Sequence, residues 1–177
     1  MWGLNDEGQC GTGAAGDSVL VATRCDAGAL ADDVRVVFVA CGSFHTVALT
    51  SDGGVIVFGT NGSGQLGTGN YASQLTPERL THAMLDGVRI VGCAAGFGFT
   101  ILVSDEGRVF AMGDNDNGQL GLGHTNNVNT PHEIDAAHFG DAPVVAVACG
   151  DFHMLALTRE GKLFSCCLLY TSPSPRD

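Results

Sequence analysis

The stretch that decides the fold is "VFVACGSFHTVALTSDGGVIVFG", residues 37–59, in which short runs of Val, Ala, Leu and Phe are separated by turns that contain glycine. Apolar runs of about six residues between such turns predict antiparallel hairpins. The stretch recurs as "VGCAAGFGFTILVSDEGRVFAMG" at 91–113 and as "VAVACGDFHMLALTREGKLFSCC" at 145–167, with a period of 54 residues in both steps. A fixed period of this length predicts a repeat protein in which each unit is one supersecondary structure.

A glycine-rich link recurs with the hairpins, as "WGLNDEGQCGTG" at 2–13, "FGTNGSGQLGTG" at 58–69 and "MGDNDNGQLGLG" at 112–123. The middle copy alone has the G-x-G-x-x-G spacing of a dinucleotide site, and the polar residues and Pro77 that follow do not predict the helix that such a site needs. We therefore predict no nucleotide and no other cofactor. The side chains of the link glutamines are predicted to form hydrogen bonds with backbone groups of these glycine-rich segments; the glutamines are Gln9, Gln65 and Gln119.

A third recurring piece, "TPERL" at 76–80 and "TPHEI" at 130–134, predicts a short strand introduced by proline. Each unit thus offers about four short strands, and no segment has a sustained helical period, which predicts an all-β fold of about three four-stranded blades. We divide the chain into the end of a truncated preceding blade and link (1–13), three repeat blades (14–69, 70–123 and an incomplete 124–164) and a non-repeat tail (165–177).

These residues resemble the repeats of the regulator of chromosome condensation family, with the shared pattern V-x-x-V-x-C-G-x-x-H-T-x-A-L-T-x-x-G-x-V-x-x-W-G-x-N-x-x-G-Q-L-G-x-G over residues 2 to about 164. The resemblance implies a β-propeller whose full ring has about seven blades. It also implies, from the founding member, guanine nucleotide exchange on a Ran-type small GTPase through one propeller face and an inserted wedge hairpin. Units of 54 to 56 residues leave no room for that hairpin in these blades.

Three blades do not make the four to eight that a closed ring needs, so we expect an open fragment of a larger propeller or a gene model that stops early. A dimer that supplies six blades is the alternative. Cys166 and Cys167 replace the expected aromatic residue and glycine, and "LLYTSPSPRD" matches nothing earlier. We interpret this tail as a frame shift or appended sequence, with a natural tail as the alternative. Open blade faces predict self-association.

Three groups of residues occupy equivalent positions and are predicted to be structural. Gly42, Gly96 and Gly150 are expected in turns where a β-carbon is disfavoured, and Gly53, Gly107 and Gly161 in turns that need positive φ. His45 and His153 share a position with Phe99, which predicts packed strand residues rather than catalytic bases.

The candidate protein-contact residues lie in the turns that we assign between the second and third strands of each blade; they are Ser43, Phe44, Phe97, Asp151 and Phe152. Their chemistry differs from blade to blade on a repeated scaffold, as expected of a recognition surface. The alternative is that the phenylalanines only pack against the neighbouring turn.

Composition narrows the partners. Nineteen acidic and eight scattered basic residues give a net charge of −11, so this segment is not predicted to bind nucleic acid, and its expected partner is a protein, either a small GTPase or a basic protein.

His132, Asp135 and His138 fall in an expected inter-strand loop with no fourth ligand, so no metal site is predicted. We find no catalytic constellation, no membrane span and no signal peptide. Seven cysteines without C-x-x-C spacing then predict an intracellular protein, cytoplasmic or nuclear and not secreted.

Overall fold

The computed structural model describes residues 3–25 and 33–166, and within them the fold is almost entirely β. The first sheet contains β1 (Val36–Cys41), β2 (His45–Thr50), β3 (Val55–Gly59) and β4 (Gln74–Arg79). The second contains β5 (Ile90–Ala95), β6 (Phe99–Ser104), β7 (Val109–Gly113) and β8 (Val128–Glu133). The third contains β9 (Val144–Cys149), β10 (Met154–Thr158) and β11 (Leu163–Cys166). Short 3₁₀ turns, Ala83–Leu85 and Ala136–Phe139, precede the second and third sheets.

The predicted all-β fold of about three blades is confirmed, because within each of the three sheets every strand pairs antiparallel with the next strand in chain order. The hairpin between the second and third strands of each sheet turns on a glycine with positive φ, +86° at Gly53, +86° at Gly107 and +80° at Gly161. An L residue with a β-carbon rarely adopts this conformation, which accounts for glycine at all three positions.

The sheets differ from the units predicted from sequence. They run over 36–79, 90–133 and 144–166, rather than over 14–69, 70–123 and 124–164, because the strand after each glycine-rich link pairs back on the preceding sheet. Pro77 and Pro131 lie inside β4 and β8 and do not introduce them. Both strands are outer strands with a register break, where a missing N–H is tolerated.

Neighbouring sheets pack face to face. One apolar core lies between the first and second sheets and includes Val47, Leu49 and Phe110. The next lies between the second and third sheets and includes Phe99 and Ile101. The three sheets form an open arc and do not close into a ring. On the free face of the third sheet, Leu157 and Leu163 are 38% and 66% exposed, whereas the residues at the same positions of the first sheet, Leu49 and Val55, are buried.

Both ends of the repeat pattern are partly described. The link at residues 3–16 packs on the first sheet, with the Thr46 hydroxyl donating to the Gln9 carbonyl at 2.9 Å. Ser165 and Cys166, which the sequence predicts to be in the tail, continue β11 and pair with Leu155 and Met154. Backbone pairing does not require the aromatic residue that the repeat pattern favours. The predictions for residues 167–177 lie outside the described residues.

Candidate functional site

The candidate contact residues lie in the turns between the first and second strands of each sheet, not between the second and third, because each sheet begins with the strand before the turn. All three turns close in the same way. The amide of Gly42 donates to the His45 carbonyl, that of Gly96 to Phe99 and that of Gly150 to His153, at 2.9, 2.9 and 3.0 Å. The repeat therefore presents three turns of one shape side by side.

Close approach, rather than positive φ, explains the glycine that opens each turn. A β-carbon on Gly96 would lie 2.0 Å from the ring of Phe99, and one on Gly42 or Gly150 would lie 2.3 Å from the imidazole of the residue three positions later. The ring at that position folds beneath the turn and leaves no room for a side chain.

The phenylalanines of these turns form a continuous row. The rings of Phe44 and Phe97 are 6.1 Å apart and nearly perpendicular, and those of Phe97 and Phe152 are 5.7 Å apart and stacked. Each ring packs on its neighbour, as the alternative interpretation expects, while Phe97 and Phe152 remain 44% and 48% exposed, so the contact role of these residues stays a prediction. Contacts between rings fix the row before any partner arrives.

Several acidic residues lie at the same end of the sheets as this row. Asp151 is exposed in the third turn, and its carbonyl accepts the Phe97 amide at 3.2 Å. Asp114 donates its amide to the Gly98 carbonyl at 2.8 Å, and exposed Asp116 donates its own to the Asp114 carboxylate at 3.0 Å. Glu7 belongs to the same neighbourhood, because its carboxylate binds the Thr60 hydroxyl at 3.0 Å. We call this end of the sheets, comprising turns 42–44, 96–98 and 150–152 with these carboxylates, the aromatic end.

The opposite end of the sheets carries the basic residues. We call it the hairpin end, comprising the turns 51–54, 105–108 and 159–162. Six of the eight Lys and Arg residues lie in these turns or against them; they are Arg35, Arg79, Arg89, Arg108, Arg159 and Lys162. The same turns also contain Asp52, Asp105, Glu106 and Glu160, so the hairpin end carries charges of both signs. The three turns of the aromatic end contain no Lys or Arg.

Ion pairs hold several of these basic residues. Arg108 makes a bidentate pair with Glu133 at 2.8 and 2.6 Å, which lowers the pKa of Glu133. Hydrogen bonds from the Thr50 hydroxyl and from Arg79 lower the pKa of Asp52 to about 2. These pairs are partly exposed, so their net contribution to stability is small.

The two equivalent histidines differ in their surroundings. His45 is fully buried between the first and second sheets, and its Nε2 lies 2.9 Å from the Thr100 hydroxyl oxygen. Burial lowers the pKa of His45 to about 4, opposed in part by the Phe99 backbone, so the ring is neutral at pH 7. His153 is exposed.

The three link glutamines occupy equivalent positions. The side-chain oxygens of Gln9, Gln65 and Gln119 accept the amide two residues earlier at 3.0, 2.9 and 2.9 Å. Because the acceptor caps a backbone N–H inside each link, these residues order the glycine-rich segments.

From the sequence we assigned no role to the asparagine that lies four residues before each link glutamine. Asn115 is fully buried; its Oδ1 accepts the Leu120 amide at 3.0 Å and its Nδ2 donates to the His124 and Asn126 carbonyls at 2.7 and 3.1 Å. Asn61 makes the three corresponding bonds, and Asn5 makes two of them, with the Cys10 amide and the Ala14 carbonyl. The repetition of Asn in all three links was the signal that could have identified it.

The cysteines and histidines do not converge. In residues 3–25 and 33–166 no three His, Cys, Asp or Glu side chains are placed to hold a metal ion. His132 lies in β8 rather than in the expected loop, whereas Asp135 and His138 lie between β8 and β9, as expected, at and in the 3₁₀ turn. Burial raises the pKa of Cys93 and of Cys149 to about 12, which leaves both thiols protonated and unreactive. No helix in the described ranges has the length and hydropathy to span a membrane.

The comparisons with known proteins agree with this geometry. The model of the regulator of chromosome condensation (RCC1) repeat matches residues 1–49, 52–103 and 106–157. The probable E3 ubiquitin-protein ligase HERC6 of Homo sapiens is 32% identical over 166 residues, which is 93% of this chain and 16% of HERC6.

Two solved structures share the fold. Human WBSCR16 superposes with a TM-score of 0.78 at 29% identity, covering 90% of this chain and 40% of its own. Prp20p of Saccharomyces cerevisiae, described with its binding properties to Gsp1p and histones, superposes with a TM-score of 0.76 at 22% identity, covering 96% of this chain and 40% of its own. The chain therefore spans less than half the length of each protein that it is compared with here.

Proposed function

Because the chain belongs to the regulator of chromosome condensation (RCC1) repeat family, we propose that it is a non-catalytic protein-interaction module whose contact surface is the aromatic end. The observation that carries the proposal is the row of Phe44, Phe97 and Phe152, which is fixed by ring contacts and in which Phe97 and Phe152 are half-exposed. Phenylalanine is enriched at protein interfaces, and a side chain held in place before binding loses less entropy when a partner covers it.

The partner that fits this surface is a basic segment of another protein. Asp151 precedes Phe152 in the third turn, and Asp114 and Asp116 lie beside the turn that contains Phe97. Arg or Lys side chains bind both carboxylates and aromatic rings. Of the proteins compared, Prp20p is described with its binding to histones, which are basic, and to Gsp1p. We propose a basic protein as the partner class, inside the cell.

Binding of designed peptides tests the proposal. We expect a fluorescent peptide that alternates Arg with apolar residues to bind, and the same peptide with Glu in place of Arg not to bind. Replacing Phe97 and Phe152 together by Ala should weaken binding by at least tenfold, because each exposed ring contributes about 1–2 kcal/mol when covered. Met84→Ala, which removes a half-exposed apolar side chain near the hairpin end, is the matched control and should leave the affinity unchanged.

Two outcomes contradict the proposal. Equal binding of the Arg and Glu peptides would exclude charge recognition, and unchanged affinity of the Phe97→Ala, Phe152→Ala double variant would exclude the aromatic end as the surface.

A second candidate is that these repeats form part of a guanine nucleotide exchange factor for a Ran-type small GTPase. It rests on the resemblance to the founding member of the family. The connections within residues 33–166 argue against exchange by these three sheets alone, since none contains an inserted hairpin. Release of a fluorescent GDP analogue from a Ran-type GTPase measures it directly; we expect no acceleration by this chain, and acceleration would favour the exchange factor.

A further inference from the structure

A cavity of about 390 Å³ lies at the hairpin end, between the edge of the first sheet and the 3₁₀ turn at Ala83–Leu85. Buried Val55, Leu80 and Ile90 form apolar parts of its lining. Its polar lining includes two arginines and a histidine, Arg79, Arg89 and His82, together with the carboxylates of Asp52 and Asp86. We call this cavity the arginine pocket.

The second sheet has a cavity at the equivalent place, and it is smaller and less basic. It measures about 160 Å³. Phe139 replaces Leu85, Ala136 replaces His82 and Pro143 replaces Arg89, so a larger apolar residue lines it while two polar side chains are lost. Sheet packing therefore does not require the open volume or the basic residues of the arginine pocket.

The hydrogen bonds of the pocket leave donors free. Asp52 already accepts three hydrogen bonds, at Oδ1 from the Thr50 hydroxyl and the Gly54 amide and at Oδ2 from one Arg79 nitrogen at 2.7 Å. Arg89 donates one nitrogen to the Ser51 carbonyl at 3.0 Å. Each guanidinium carries five N–H donors, so most of them remain available.

We propose that the arginine pocket binds a ligand that carries an oxyanion on an apolar body, such as an aryl carboxylate or an aryl phosphate. Arg89 and the free nitrogens of Arg79 bind the oxyanion, and the apolar lining at Val55, Leu80 and Ile90 takes the body of the ligand. The volume lies in the usual range for small-molecule sites. This site is independent of the aromatic end.

The isotope-labelled full chain is titrated with benzoate, with phenyl phosphate and with the neutral isostere benzamide. Binding is monitored by NMR through the amide resonances of Gly53, Gly54 and Gly87. We expect saturable shifts with at least one of the two anions and none with benzamide; the pair separates carboxylate from phosphate preference. Arg89→Gln, an exposed substitution, should weaken anion binding at least tenfold. Leu85→Phe, which installs the residue of the second sheet, should abolish it.

The matched control is Arg108→Gln in the smaller cavity, which should leave binding unchanged. Arg89→Gln keeps the test decisive if Leu85→Phe fails to fold. The proposal is overturned if neither anion binds, if benzamide shifts the same resonances with equal affinity, or if Arg89→Gln binds as wild type does.

Discussion

Protonation of His45 should be a main cause of acid destabilisation. The imidazole is buried beside Thr100, and its pKa falls from 6.5 to about 4 on folding. The unfolded chain therefore binds the proton more tightly, and stability from the neutral ring is complete above pH 6.5 and is lost as the pH falls towards 4. At about 1.4 kcal/mol for each factor of ten in proton affinity, this corresponds to about 3 kcal/mol.

Urea unfolding followed by circular dichroism at pH 7.5, 6, 5 and 4 measures this loss. His45→Phe removes the titrating group and installs the residue that the second sheet buries at the same position, Phe99. We expect the variant to lose about 3 kcal/mol less than wild type over this range. His153→Phe, at the exposed equivalent position, is the control and should follow the wild-type profile. Parallel profiles of His45→Phe and wild type would refute the reasoning.

Three further predictions concern stability and association. Gly96→Val should lower the unfolding free energy by about 2 kcal/mol or more in urea titrations, because the added β-carbon meets the buried ring of Phe99. Gly150→Val should cost less, because the β-carbon there meets an exposed histidine that can move. Equal costs for the two variants would contradict this. Asn115→Ala should cost about 2–4 kcal/mol in the same assay, since it leaves the buried Leu120 amide without its acceptor; a cost below 1 kcal/mol would count against the role of the link asparagines. The chain should self-associate through the free face of the third sheet, so the double change Leu157→Glu and Leu163→Glu should reduce the mass measured by light scattering; a wild-type monomer would exclude this.

The sheets were predictable because glycine spacing and apolar runs are local signals. Gly53 and its equivalents turn the second strand onto the third in each unit, and the repetition at 54 residues shows where each hairpin lies. The partner of β4 was not predictable, because nothing in "TPERL" indicates whether that strand joins the preceding or the following sheet. The pairing depends on how the link folds over the next sheet, which is a long-range property.

The candidate contact residues could be proposed from the sequence, but the row that their aromatic rings form could not. Ser43, Phe44, Phe97, Asp151 and Phe152 were identified from their position in the repeat, whereas the ring contacts depend on the spacing between sheets. The arginine pocket was not predicted from the sequence, because it depends on differences between repeat copies, such as Leu85 in one and Phe139 in the next. Only the structure shows that these residues line equivalent cavities.

The most direct test of the aromatic end as the binding surface is an unbiased selection of displayed peptides on the immobilised chain, with each enriched peptide then measured against wild type and the Phe97→Ala, Phe152→Ala double variant. We predict enriched sequences that are rich in Arg and Lys and that lose at least tenfold in affinity for the double variant, while Met84→Ala binds them as wild type does. Enriched peptides that are acidic or neutral, or that bind the double variant with unchanged affinity, would contradict the account.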